Sequence, residues 1–186
     1  MNSMTNMEFL LTAIQAGKNF EYLLFWGHQQ RQDGRISKSC LSNWYPAAFT
    51  REGIEYLTTE HYMMAQKAKL FGDTAIYYEI LKATTPKEAK NLGRKVQGFD
   101  ETTWNANRIE IVVAGNLAKF SQHAPLSEFL LSTGEKVLVE ASPYDRIWGI
   151  GMSADAPNVT DPQAWNGLNL LGFALMEVRR QLRTGG

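Results

Sequence analysis

Cysteine is nearly absent from this chain of 186 residues: Cys40 stands alone, which excludes an internal disulfide and a thiolate metal site. Net charge is absent as well, because 19 lysines and arginines balance 19 aspartates and glutamates. That balance argues against broad electrostatic capture of nucleic acid or of an anionic membrane, and leaves room for a local basic patch or a nucleotide ligand. Histidine is scarce, and His28, His61 and His123 show no metal-ligand spacing. No apolar run approaches a membrane span and no secretory leader opens the chain, so a cytoplasmic protein without membrane association is expected. A phosphate loop, a dinucleotide fingerprint, a serine-nucleophile elbow and an internal repeat are all missing. No metal and no cofactor is expected.

Aromatic side chains, by contrast, are plentiful, with five tryptophans and seven tyrosines, which suits either an aromatic core or a site that stacks on planar rings. The length supports one compact domain. Residues 1–20 read as an N-terminal extension with a short helix at Met7–Ile14, and residues 21–186 as a single domain. Within it, Tyr22–Trp26 and Lys136–Glu140 read as strands, and Phe49–Tyr56 as a hairpin turning at Arg51-Glu52-Gly53. Helices are expected from Thr59 to Phe71, from Asp73 to Lys82, from Pro86 to Gly93 behind a Thr85 cap, from about Asp100 to Phe120, from Pro125 to Leu131 and from Leu168 to Arg179. The fold class that follows is α+β, predominantly helical, with small sheet and hairpin elements.

One helix carries an anomaly. Placing each residue of Thr58–Phe71 about 100° further round the axis puts Met63, Met64, Leu70 and Phe71 on one stripe. Glu60 and Lys67 fall inside that stripe, about 20° apart in azimuth and roughly 10 Å apart along the axis, while Tyr62, Gln66 and Lys69 take the other side. A charge in an apolar setting costs several kcal/mol unless it is paired or has work to do. Two readings stand: a buried Glu60–Lys67 pair that fixes how the helix docks, or the floor of an active site with a carboxylate and an amine of shifted pKa.

Two further stretches carry chemistry. Arg94-Lys95 lies in a glycine-bounded turn suited to an anionic group. Ala141–Met152 mixes turn formers, charge and Trp148; Gly149 and Gly151 let backbone approach a ligand, and Trp148 either stacks on a planar ring or plugs the core. Ser153–Asn166 reads as a long surface loop and a candidate lid. A polar cleft built from Glu60, Lys67 and the Asp145–Gly151 loop is expected.

Leu41-Ser42-Asn43-Trp44-Tyr45-Pro46, Thr59-Glu60-His61-Tyr62 with Ala65-Gln66-Lys67, Leu92-Gly93-Arg94, Ser142–Gly151 and Gly167–Gly172 together resemble the NADAR, or YbiA-like, family of N-glycosidases. The resemblance runs from Phe25 to Arg183 and implies a YbiA-like fold and hydrolysis of the bond between a ribose carbon and a base nitrogen. It implies two substrate classes, phosphoribosylamino-pyrimidine intermediates of riboflavin synthesis and ADP-ribose on guanine bases of nucleic acid, with no obligate protein partner. Glu60 is then the catalytic carboxylate, since ribosyl transfer develops oxocarbenium character that a carboxylate stabilises. Lys67 either orients Glu60 and binds a phosphate or hydroxyl, or attacks the ring-opened sugar to form an imine. Trp148, with Trp44 or Trp104, would sandwich the base; Arg94 would hold a phosphate; Asn43, Asp145 and Asn169 are candidates for sugar or base hydrogen bonds, and Gly149 for close backbone approach. Where some members of the family carry Trp-Gly-Asp-Gly, this chain has Trp148-Gly149-Ile150-Gly151. The alternative is a non-catalytic module that binds ADP-ribose or a related nucleotide.

Overall fold

The computed structural model describes residues 6–185, so residues 1–5 of the N-terminal extension and residue 186 lie outside the described residues. In chain order the elements are α1 (Met7–Gln15), β1 (Tyr22–Phe25), β2 (Phe49–Arg51), β3 (Ile54–Tyr56), α2 (Thr59–Leu70), α3 (Thr74–Lys82), α4 (Pro86–Gly93), α5 (Glu101–Gln122), α6 (Ala124–Ser132), β4 (Val137–Glu140) and α7 (Leu170–Thr184). The fold is α+β and predominantly helical, as the residue pattern implied. The chain forms two compact units, one from the residues up to Ser42 together with those from Pro125 onward, the other from Asn43–Ala124.

In the first unit β1 pairs in parallel with β4, Tyr22 opposite Val137 and Phe25 opposite Glu140. All four residues of β4 are buried, as an apolar strand covered on both faces should be. Helix α7 lies directly on it: a Cβ on Gly172 would stand 2.0 Å from the Leu138 carbonyl oxygen, so only glycine permits this approach. Arg179, 3% exposed, donates to Thr133 Oγ1 at 2.7 Å and to the Lys136 carbonyl at 3.0 Å, tying α7 to the turn that feeds β4.

The second unit is organised around α2, which packs on β3, α3, α4 and α5. The β2–β3 hairpin turns through Glu52 and Gly53, both at positive φ, the backbone that matches strand twist in a two-residue loop. It delivers the rings of Phe49 and Tyr56 to Tyr62, with centroids 5.0–6.0 Å apart. The helix starts follow the residue types: Thr58, Asp73, Thr85 and Asp100 each accept a hydrogen bond from a first-turn N–H. Glu88 also reaches back to the Thr84 N–H at 2.9 Å.

The pattern of α2 differs from the single stripe expected. Thr59 through Ala65 are all buried, Tyr62 at 5% exposure included, whereas Leu70 is 36% exposed and Phe71 half-buried. A stripe presumes cover on one side; here the hairpin rings cover the Tyr62 side as α3, α4 and α5 cover the rest, and the helix end projects past them.

His61, 2% exposed, bridges α2 to the end of α3. Ala83 O can only accept, so Nε2–H donates to it at 3.1 Å, and Nδ1 accepts from the Thr58 hydroxyl at 2.8 Å. Burial lowers the imidazole pKa below the ordinary 6.5, against the smaller raising effects of the Ala83 carbonyl and Glu88. Below that value the unfolded chain binds more protons, so this contribution to stability is present above it and lost on acidification. His61→Gln should therefore lower the melting temperature at about pH 7 and flatten its further fall toward about pH 5, as thermal denaturation across that range would show.

Candidate active site

The second unit holds six of the residues singled out from the sequence: Asn43, Trp44, Glu60, Lys67, Arg94 and Trp104. Glu60 occupies the first turn of α2 at 3% exposure, where the helix dipole favours a carboxylate. Its own N–H, one of those a helix start leaves unpaired, donates to the Asn43 carbonyl at 2.9 Å. That bond seats the Asn43–Pro46 turn against the start of α2. The Asn43 side chain is held in turn by Asn116 of α5, whose Nδ2 donates to Asn43 Oδ1 at 3.0 Å.

Lys67 turns its ammonium to the end of α4. Nζ donates to the Gly93 carbonyl at 2.9 Å and stands 4.3 Å from the ring centroid of Phe99 and 5.7 Å from that of Trp104. Its pKa is lowered, with burial as the cause. The ammonium is thus set against one backbone carbonyl and two rings. Gly93 makes the arrangement possible, since a Cβ there would meet Met64 Sδ at 2.1 Å. Arg94 follows immediately as the exposed cap of α4, and Trp104 is 9% exposed on α5. Trp44 is half-buried with Lys90 Nζ 5.7 Å from its ring.

Asp145, Trp148, Gly149 and Asn169 belong to the first unit, and most of their polar groups are committed within it. Asp145 Oδ1 accepts from the N–H groups of Ile147 and Trp148 at 2.9 and 2.8 Å, and its carbonyl accepts from Gly151. It is the residue that curls the tryptophan loop. Asn169, fully buried at φ 52°, accepts from the Glu140 N–H at 3.0 Å and donates to the Leu138 carbonyl at 2.9 Å. Both ends of the amide are thus bonded to β4, where the sequence reading had it available for a sugar or base. The loop carbonyls of Ile147 and Trp148 accept the N–H groups of Leu170 and Leu171, the first turn of α7. Trp148 is half-buried, and Gly149 is buried with its ideal Cβ position only 2.8 Å from the Glu140 carbonyl. Ile150, between the two loop glycines, is fully enclosed and occupies a core position.

A sequence profile of the NADAR domain matches residues 24–183. The chain belongs to the NADAR domain family. It is 40% identical over 166 residues to an N-glycosidase of Acanthamoeba polyphaga mimivirus, a match covering 87% of this chain and 96% of that one. It is 34% identical over 143 residues to a riboflavin biosynthesis protein of Vibrio vulnificus, covering 77% of this chain and 35% of that longer one. The solved NMR structure of the Escherichia coli protein YbiA superposes with a TM-score of 0.69 at 28% identity, covering 90% of this chain and 89% of that one.

Among the described residues, the buried polar side chains that escaped the sequence reading include Asn116 and Lys119, both on α5 and both with no exposure. Lys119 Nζ stands 4.8 Å from the Phe120 ring centroid and 5.9 Å from that of Tyr45. The signal was present: Val112, Asn116 and Lys119 follow one another at spacings of four and three, so both polar residues ride the apolar face, as Glu60 does on α2. Among the described residues no group of three or more histidine, cysteine or acidic side chains could hold a metal ion, and no helix is long and apolar enough to cross a membrane.

The two bonds from Asn169 to β4 make a direct prediction. Asn169→Ala leaves a buried N–H and a buried carbonyl without partners and should cost about 2–4 kcal/mol of stability, measured by chemical denaturation. A loss of activity with unchanged stability would instead return Asn169 to the substrate.

Proposed function

We propose that this chain is an N-glycosidase that hydrolyses the bond between a ribose carbon and a base nitrogen, with Glu60 and Lys67 as its catalytic residues. The observation that carries the reading is one helix with a buried carboxylate in its first turn and, two turns later, an amine desolvated against Phe99 and Trp104. Relatives named N-glycosidases support the reaction class.

Glu60 stabilises the positive charge that develops at the sugar carbon as the base departs, and moves the proton between water and the leaving nitrogen. Lys67 acts as an amine. Once the sugar ring opens, the bond to the base is a protonated imine; the Lys67 nitrogen adds to the same carbon, the base leaves as its free amine, and a lysine imine remains. Water then hydrolyses that imine, releasing the sugar aldehyde and returning the amine. Arg94, exposed beside the Gly93 carbonyl that holds Lys67, supplies a cation for a substrate phosphate. The rings of Trp44 and Trp104 offer faces to a base.

Two substrate classes fit this chemistry: a phosphoribosylamino-pyrimidine, in keeping with the name of the Vibrio relative, and ADP-ribose attached to a guanine base of nucleic acid. A side-by-side cleavage assay of the two, with mass-spectrometric detection of released base, separates them. Glu60→Gln should fold normally and lose about 10²–10⁴-fold in turnover; turnover near that of the unaltered protein removes Glu60 from the mechanism.

Lys67 supplies an independent readout. Borohydride added during turnover should leave a sugar-sized mass increment on Lys67 and none on Lys67→Arg. Because burial lowers the pKa of the amine from the ordinary 10.5, the neutral nucleophile forms at lower pH than in free lysine. The rising limb of kcat/KM against pH should accordingly lie below that value. A limb at the free-lysine position, with no trapped adduct, would leave Lys67 only a binding role.

A further inference from the structure

Asn116 and Asn43 form a pair whose orientation the helix itself dictates. The Val112 carbonyl, one turn back on α5, can only accept a hydrogen bond, and Asn116 Nδ2 stands 3.1 Å from it. The same NH2 group lies 3.0 Å from Asn43 Oδ1. With one hydrogen directed to each, Asn116 demands an acceptor from Asn43, and the Asn43 NH2 is turned away from α5. Asn43 is the residue whose backbone carbonyl receives the Glu60 N–H, and it is 5% exposed whereas Asn116 is fully enclosed.

The other end of Asn116 points to the same conclusion. Its Oδ1 is buried and has no hydrogen-bond partner within the protein, as is true of Thr59 Oγ1 on the facing helix. An enclosed, unsatisfied amide oxygen is a standing cost that leucine of similar volume would remove. An asparagine kept under that cost is present for its NH2 end.

We propose that Asn116 is a positioning residue that locks the Asn43 amide with its NH2 directed outward, as the donor that receives a substrate oxygen, a ribose hydroxyl or base carbonyl, beside Glu60. This rests on the reading of Glu60 as the catalytic carboxylate. The outward face of Asn43 then discriminates by polarity: it favours substrates that present an acceptor and disfavours analogues in which that oxygen is removed, because the buried donor is left unpaired.

The orientation can be read on the unaltered protein. In side-chain amide NMR of protein with ¹⁵N-labelled asparagine, the Asn116 NH2 protons should exchange with solvent more slowly than those of Asn43. Protection of the Asn43 NH2 instead would overturn the proposal. The functional arm is a double-mutant cycle on whichever ribosylated base the protein cleaves. Asn116→Ala should raise KM about tenfold with a smaller change in kcat, and should have no further effect on KM in an Asn43→Ala background, since it acts through Asn43. Additive losses would overturn it. Asn43→Asp, which keeps the acceptor toward Asn116 but replaces the outward donor, should reproduce the KM defect; unchanged KM in that variant would likewise overturn it. Glu60→Gln run in parallel distinguishes the failures: full activity there removes the catalytic reading while the amide exchange pattern still decides the orientation of the pair.

Discussion

Enclosing the start of α2 sets conditions that the rest of the second unit must meet. A helix opens with N–H groups that have no partner inside it, and here that opening turn is buried together with a carboxylate. Protein groups take the place of water for two of those N–H groups and for the buried ring beside them. Thr58 Oγ1 receives one N–H, the Asn43 carbonyl receives that of Glu60, and the His61 ring is bonded at both nitrogens. The turn at Asn43–Pro46, the hairpin rings and the α3–α4 junction are where they are because α2 needs those partners.

The amine two turns further along α2 is shaped by opposing forces. Burial favours its neutral form, while the Gly93 carbonyl and the faces of Phe99 and Trp104 attract the ammonium. The net effect is a lowered pKa, which leaves a group that is held in place when charged and becomes nucleophilic at lower pH than an ordinary lysine. A tight bidentate partner would have held the charge and removed that reactivity.

The first unit solves the same problem of a buried helix start by different means. There the carbonyls of the tryptophan loop receive the opening N–H groups of α7, and Asn169 bonds to β4 as a strand residue would. Asp145 curls the loop so that those carbonyls face α7. In both units a loop carrying a half-buried tryptophan is thus fastened to a buried helix N-terminus by backbone hydrogen bonds. Such bonds position the loop without restricting which side chains it displays.

Much of this was legible in residue order because the forces involved are local. The caps at Thr58, Asp73, Thr85 and Asp100, the Glu52-Gly53 turn and the apolar run of β4 depend on neighbours within a few residues. That Glu60 and Lys67 stand as charged groups among apolar neighbours was legible for the same reason, although the single stripe assigned to them was not what formed. Tertiary structure decided the remainder: that α2 is covered on every side at its start, that Lys67 turns to Gly93, that Asn169 and Asp145 are committed to backbone, and that Asn116 faces Asn43 across 73 residues of chain. Each of these depends on which group stands opposite a side chain, and helical period specifies the face a residue occupies while leaving its partner to the packing of distant segments.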